Sequence, residues 1–179
     1  MLFAESARRR HVIIGAGGHS RAVVSAAGSR FAIFDDALEN QTTNDLLKHA
    51  RDYDSFHVAI GSNEDRRKIY QKCRVVGDYI SWIHPLAIID SSAIVEDGVY
   101  VGPGAIIGPN VKICRGCIIN SGAIIEHDSE VGEFSHIAPR ATLLGGVLVS
   151  RLILVGANAV VLPKTKVTKF VKAQSICNS

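Results

Sequence analysis

The sequence predicts a mainly β protein with an α/β part: a small α/β unit followed by a parallel β-helix. Two patterns carry this expectation. Taken every sixth residue from Ile83, the chain reads Ile89, Val95, Val101, Ile107, Ile113, Ile119, Ile125, Val131, Ile137, Leu143, Val149, Val155, Val161 and Val167, without a failure. Apolar residues make up 47% of the 179-residue chain, so chance would give such a run about once in 10⁵ trials. Ahead of the run, apolar strands alternate with helix starts, and the first strand ends in the glycine turn Gly15-Ala16-Gly17-Gly18.

In chain order, Met1 to Arg10 is polar and basic without a period and is expected to be a disordered leader, outside the fold. His11 to Gly15 reads as a buried strand, and the glycine turn leads into a helix over about His19 to Ala27. Phe31 to Phe34 is a second strand ending in Asp35 and Asp36. Asn44 to His49 is a short helical piece in a polar connector. Phe56 to Gly61 is a third strand, and Ser62-Asn63-Glu64-Asp65 caps a helix running to about Cys73. Tyr79 to Pro85 hands over to the repeats.

A period of six fits neither a 3.6-residue helix nor a hairpin sheet; three hexads to a turn make a triangular coil with its aliphatics on the axis. A second inward phase of small or β-branched residues accompanies it, including Ala105, Cys117, Ala123, Ser129, Ser135 and Ala159. Gly102, Gly108, Asn120, Gly132 and Gly156 follow the aliphatics directly, where a positive φ is expected at the corners. Residues 83–172 supply about five coils, each satisfying the backbone of the next. The expected division is a leader 1–10, an α/β domain 11–82, a β-helix 83–172 and a tail 173–179.

A net charge of +3 with 21% charged residues describes an ordinary soluble chain, and its basic clusters lack the interleaved aromatics of a nucleic-acid surface. No apolar run reaches membrane-spanning length. Cys73, Cys114, Cys117 and Cys177 are few and scattered, which suits a reducing cytoplasm. Cys117 of the C-x-x-C falls on the small inward phase, so packing is favoured over metal or redox use and no metal is expected.

The α/β half offers a nucleotide site. Gly15, Gly17 and Gly18 let a backbone approach phosphates at a helix N-terminus, and Asp35 stands where it can accept from a ribose or base. The third glycine of the dinucleotide fingerprint is replaced by Ser20, and too few strands follow for a full dinucleotide fold. The capped turn at Gly61 to Asn63 adds free N–H groups at the same carboxyl edge of the sheet.

The hexads, with I-I-E-H-D at Ile124 to Asp128, V-G-E-F-S-H-I at Val131 to Ile137 and L-L-G-G-V at Leu143 to Val147, resemble the hexapeptide-repeat acyltransferases. Within them, G-A-G-G-H-S, F-D-D and A-I-G-S-N-E-D-R-R-K-I-Y are similar to the family of sialic acid O-acetyltransferases and nucleotide-amino-sugar N-acetyltransferases called NeuD or PglD. The resemblance covers about Val12 to Val167. It implies a left-handed β-helix, a Rossmann-like UDP-sugar-binding domain, acetyl-CoA as co-substrate and a homotrimer with acetyl-CoA in the clefts between subunits. It also implies that His19 reaches toward the sugar amine, that His136 lies near acetyl-CoA at a subunit boundary, and that Gly145, Gly156 and Ala157 meet the thioester and pantetheine arm. Lys164, Lys166, Lys169 and Lys172 would then either attract coenzyme A phosphates or form a solvated end of the prism. After Val167 the chain departs from the family's glycine-rich ending, which puts part of the acetyl-CoA site in question.

Acetyl transfer to an amine needs a base, donors for the oxyanion and alignment of two substrates. His127 stands two places after an inward aliphatic and so points outward, beside Glu126 and Asp128, either of which can orient its ring. The expected function is N-acetylation of a UDP-linked 4-amino-sugar, or of another nucleotide-amino-sugar, with substrate contacts from Gly15, Gly17, Gly18, His19, Asp35, Asp36, Gly61 and Asn63 and catalysis by His127 and Asp128. Sialic acid O-acetylation and a non-catalytic nucleotide-sugar scaffold are the alternatives.

Overall fold

The computed structural model describes residues 11–27, 31–39 and 41–178; the expected leader lies outside them. Strands β1 (His11–Ile14), β2 (Phe31–Phe34), β3 (Ser55–Val58) and β4 (Asp78–Tyr79) form one parallel sheet in the order β2-β1-β3-β4. Parallel pairing requires crossovers, which are supplied by α1 (Gly18–Ala27), α2 (Thr43–Lys48) and α3 (Asn63–Cys73). A capping box between Thr42 and Asp45 starts α2, and Ser62 caps α3 by accepting from the Asp65 amide. β3 is shorter than expected. Beyond Val58 the carbonyls of Ile60 and Gly61 leave the ladder to accept from the Arg66 guanidinium at 2.9 and 3.2 Å.

From Trp82 onward the chain winds as a three-sided prism of parallel two-residue strands. Paired residues such as Ile113 and Val131, or Ile119 and Ile137, fall on consecutive coils. The first face carries Trp82, Tyr100, Ile118, His136 and Leu154 outward; the second carries Ile88, Ile106, Ile124, Thr142, Val160 and Ile176; the third carries Ile94, Lys112, Glu130, Leu148 and Lys166. The sixth-residue aliphatics make the axis, with Val101, Ile113, Ile125, Leu143 and Val155 fully buried; each such side chain contributes about 1.5–3 kcal/mol. Ile83 belongs to the end coil and stays 46% exposed.

Two expectations are corrected here. From Val95 to Val161, left-handed backbone occurs three residues after the inward aliphatic, at Gly98, Gly104, Asn110, Gly116, Gly122, Asp128, Phe134 and onward, and not at the glycines directly after it. Those glycines serve close stacking instead: a Cβ on Gly132 would stand 2.7 Å from the Arg151 nitrogen of the next coil. The segment 173–179, expected as a tail, continues the coil as far as it is described. Val171 pairs with Val155 and Ile176 with Val160, so this last turn is two residues shorter than the turn that pairs Val149 with Val167. The shortening is why the step of six stops at Val167.

The α/β unit packs on the first face. Tyr100 and Ile118 point outward from the coil yet are each 1% exposed, because Ile13, Val23 and Ala59 cover them. Beside them the ring of Phe134, on a left-handed corner, joins the cluster of Phe56, Tyr79 and Val76.

Candidate active site

β1 is followed by Gly15, whose φ of +121° and whose approach to the Ala59 carbonyl oxygen, 2.7 Å from where a Cβ would stand, admit only glycine. The turn opens onto a cavity of about 400 Å³ lined by Gly15, Gly17, Gly18, His19, Asp35, Ala59, Ile60, Gly61, Asp65, Lys68 and Ile69. It lies at the carboxyl edge of a parallel sheet, where open α/β folds hold ligands. A side chain on Gly17 or Gly61 would meet nothing within 4 Å, so both open directly onto solvent. Asp35 ties the turn down by accepting from the Ala16 amide at 2.6 Å and the Ala37 amide at 2.8 Å.

Six of the eight expected substrate residues line this cavity; Asp36 and Asn63 do not. Asp36 turns the other way and accepts from the Thr43 amide and hydroxyl at 2.8 and 2.7 Å, bonds that hold its carboxyl below the ordinary carboxylate range. Asn63 docks on the prism, its amide donating to the Leu152 carbonyl at 3.2 Å and its oxygen accepting from Arg66 at 2.8 Å. Asp65, Lys68 and Ile69 were not expected. Their spacing of three and four places them on one face of α3, the signal that was present for them in the sequence.

His19 forms the inner wall. Its ring meets Tyr100 edge-on at 4.9 Å, and its buried Nε2 has no partner among the described residues. Burial, with smaller contributions from His57, Arg66 and His136, pushes its pKa down to about 3, so the ring is neutral. Arg66 is 1% exposed and pairs with no carboxylate among the described residues; its guanidinium donates to the carbonyls of Gly116 at 2.8 Å and Phe134 at 2.7 Å as well as to those of Ile60 and Gly61. Arg66 thereby ties the cavity wall to the prism, alongside Asn63.

His136 stands on the first face, and not at the corner that carries His127. Asn120 accepts from the Ser121 amide at 2.8 Å, which turns its own amide nitrogen to His136 Nε2 at 3.1 Å. Nε2 is therefore the acceptor and the proton sits on Nδ1. Burial first, then Arg66, lowers this pKa to about 4.

His127 lies on the corner joining the second and third faces, the edge of the prism opposite the first face. Its side chain is 61% exposed, and its Nδ1 is 2.8 Å from Asp128 Oδ2. Of the two candidate orienting carboxylates it is Asp128, on a left-handed φ of 60°, that turns back to the ring. A carboxylate only accepts, so in the neutral ring Nδ1 carries the proton and Nε2 keeps its lone pair free. Gly145, one coil further along the same corner, leaves the space that Nε2 occupies: a Cβ there would stand 2.6 Å from it. Gly156 and Ala157 sit on another corner, where Gly156 packs under the Ala173 backbone and the Ala157 carbonyl accepts from the Gln174 amide at 2.9 Å. Among the described residues no group of His, Cys, Asp or Glu is arranged to hold a metal ion, and no helix is long and apolar enough to cross a membrane.

A hexad β-helix with an outward histidine–carboxylate pair, joined to a glycine-turn α/β unit, defines the class of hexapeptide-repeat acyltransferases. Residues 10–73 match the family model of the PglD N-terminal domain. The chain is 31% identical to PerB from Caulobacter crescentus, solved in complex with CoA and GDP-perosamine, over 95% of this chain and 86% of that one, with a TM-score of 0.79. It is 25% identical to the acetyltransferase domain of PglB from Neisseria gonorrhoeae, over 93% and 97% of the two chains, with a TM-score of 0.78. WeeI from Acinetobacter baumannii shares the fold at 20% identity and a TM-score of 0.71, over 95% and 97%. The chain belongs to the PglD/NeuD-like hexapeptide-repeat acetyltransferases, which are acetyl-CoA-dependent acyltransferases.

Proposed function

We propose that this enzyme transfers the acetyl group of acetyl-CoA to the amino group of a nucleotide-linked 4-amino-sugar, with His127 as general base. The observation that carries the reading is the His127–Asp128 pair, in which Asp128 engages Nδ1 and leaves Nε2 beside Gly145, on a chain that also holds the glycine-turn cavity. The diphosphate lies along Gly17 and Gly18 at the N-terminus of α1, with Lys68 nearby, and Asp35 accepts from the nucleoside. The neutral sugar amine attacks the thioester carbonyl carbon while Nε2 takes its proton; Asp128 stabilises the imidazolium, and the tetrahedral intermediate collapses with loss of the coenzyme A thiolate, which is then protonated.

Within one chain the cavity adjoins the first face, whereas His127 lies on the opposite edge. We therefore infer that a complete site takes the cavity, His19 and His136 from one copy and His127 from a neighbour, in a homotrimer. The second face supports this assembly, since its outward column includes Ile88, 63% exposed, Ile106, Ile124 and Val160, an apolar surface suited to burial around a threefold axis. Coenzyme A then lies in the cleft beside Gly145, with Gly156, Ala157 and the exposed Lys164, Lys166, Lys169 and Lys172 further along it. The enzyme acts in the cytoplasm, in glycan biosynthesis.

The test is thiol release from acetyl-CoA against UDP-linked 4-amino-sugars, GDP-perosamine and free sialic acid, with light scattering on the same sample. The resemblance leads to UDP, and the 31% identical relative is a complex with GDP-perosamine, so both nucleotides belong in the panel. Release with sialic acid alone would make it an O-acetyltransferase; release with none would leave a binding scaffold. A monomer at micromolar concentration would contradict the shared site.

A further inference from the structure

The His127–Asp128 pair does not stand alone on its edge. One coil earlier Asn110 occupies the same left-handed corner, with φ 56° against 60° for Asp128. Its amide nitrogen donates to Asp128 Oδ1 at 3.2 Å, leaving Oδ2 for His127. Asn110 is itself anchored: its backbone N–H donates at 3.0 Å to the Ser92 hydroxyl, which donates at 2.6 Å to Asp90. We propose that Asn110 is a positioning residue for catalysis, holding the Asp128 carboxylate in the rotamer that accepts from His127 Nδ1 and keeps Nε2 beside Gly145.

The physical reason is the exposure of the pair. An aspartate beside solvent samples several rotamers, and only one puts Oδ2 on Nδ1; a second hydrogen bond on the other oxygen selects it. Hydrogen bonds from His127 and then Asn110 hold the Asp128 carboxyl below the ordinary carboxylate range, so it stays a charged acceptor for both.

The inference rests on His127 being the base, and its test separates the two claims. Asparagine also tolerates left-handed backbone, so the variant of choice is Asn110→Gly, which keeps that corner as Gly104 and Gly122 do and deletes only the amide. Acetyl transfer from acetyl-CoA to UDP-linked 4-amino-sugars and to GDP-perosamine is measured for wild type, Asn110→Gly, Asp128→Gly, the double variant and His127→Ala. Asn110→Gly is expected to lower kcat about 3- to 10-fold with both KM values and Tm unchanged, and to cost nothing further in the Asp128→Gly background. An unchanged kcat alongside an inactive His127→Ala, or an equal loss with and without Asp128, overturns the role of Asn110 and leaves the base intact. An active His127→Ala overturns both.

Discussion

The imidazole of His127 fits against Gly145 on the next coil so closely that a methyl group at 145 would stand 2.6 Å from Nε2. The acceptor lone pair assigned to the base thus borders a gap that only glycine leaves.

Gly145→Ala should displace the ring and lower kcat by about 10²-fold, the order expected for a shift of about 1 Å in a reacting group. Gly145 is not left-handed, so alanine introduces no backbone strain and Tm should change little. Kinetics and a melting curve on one preparation decide it. An unchanged kcat would mean that the ring is used in another position.

Asp35→Ala should abolish the stabilisation given by UDP or GDP, because it removes the carboxylate that accepts from the Ala16 amide and lines the cavity proposed for the nucleotide. At a ligand concentration of 100 Kd that stabilisation is about 2.7 kcal/mol. Thermal shifts with UDP, GDP and NADH provide the check, and a response to NADH alone would contradict a nucleotide-sugar cavity.

Acid should destabilise the fold through its buried imidazoles. Burial holds His57 down to about 4, as it does His136, while His19 falls to about 3. Between pH 6.5 and about 4 the unfolded chain takes up protons that the folded chain refuses. Stability is therefore fully present above pH 6.5 and falls with pH below it, by up to about 1.4 kcal/mol per pH unit per group. His57→Asn keeps a donor for the Ile80 carbonyl that His57 Nδ1 now meets at 2.8 Å. Urea melts at pH 7.5 and 5 should show a smaller loss for this variant, and parallel losses would contradict the assignment.

The prism was legible in the sequence because an inward position tolerates little besides an aliphatic, so a geometric period became a compositional one from Ile83 to Val167. The glycine turn was legible for a similar reason, since Gly15 has no room for a Cβ. The left-handed corners were not, because Phe134, Arg140, Leu152 and Lys164 hold them as well as glycine and asparagine do; coil stacking overrides the intrinsic preference there. Asp36 and Asn63 carried the same polar chemistry as their neighbours, and only the positions of Thr43 and Leu152 turned them toward structural partners. In the sequence nothing sets Arg66 apart from the other charged residues of α3. Its burial depends on the carbonyls of Gly116 and Phe134, far along the chain.

The most direct measurement is the rate of thiol release from acetyl-CoA, with an acceptor that the wild type acetylates, for His127→Ala against wild type. His127 is exposed and takes no part in the core, so the variant should keep its Tm and its response to UDP or GDP while kcat falls by about 10² to 10⁴, the range for a general base. A His127→Ala enzyme that keeps most of its turnover would contradict the mechanism.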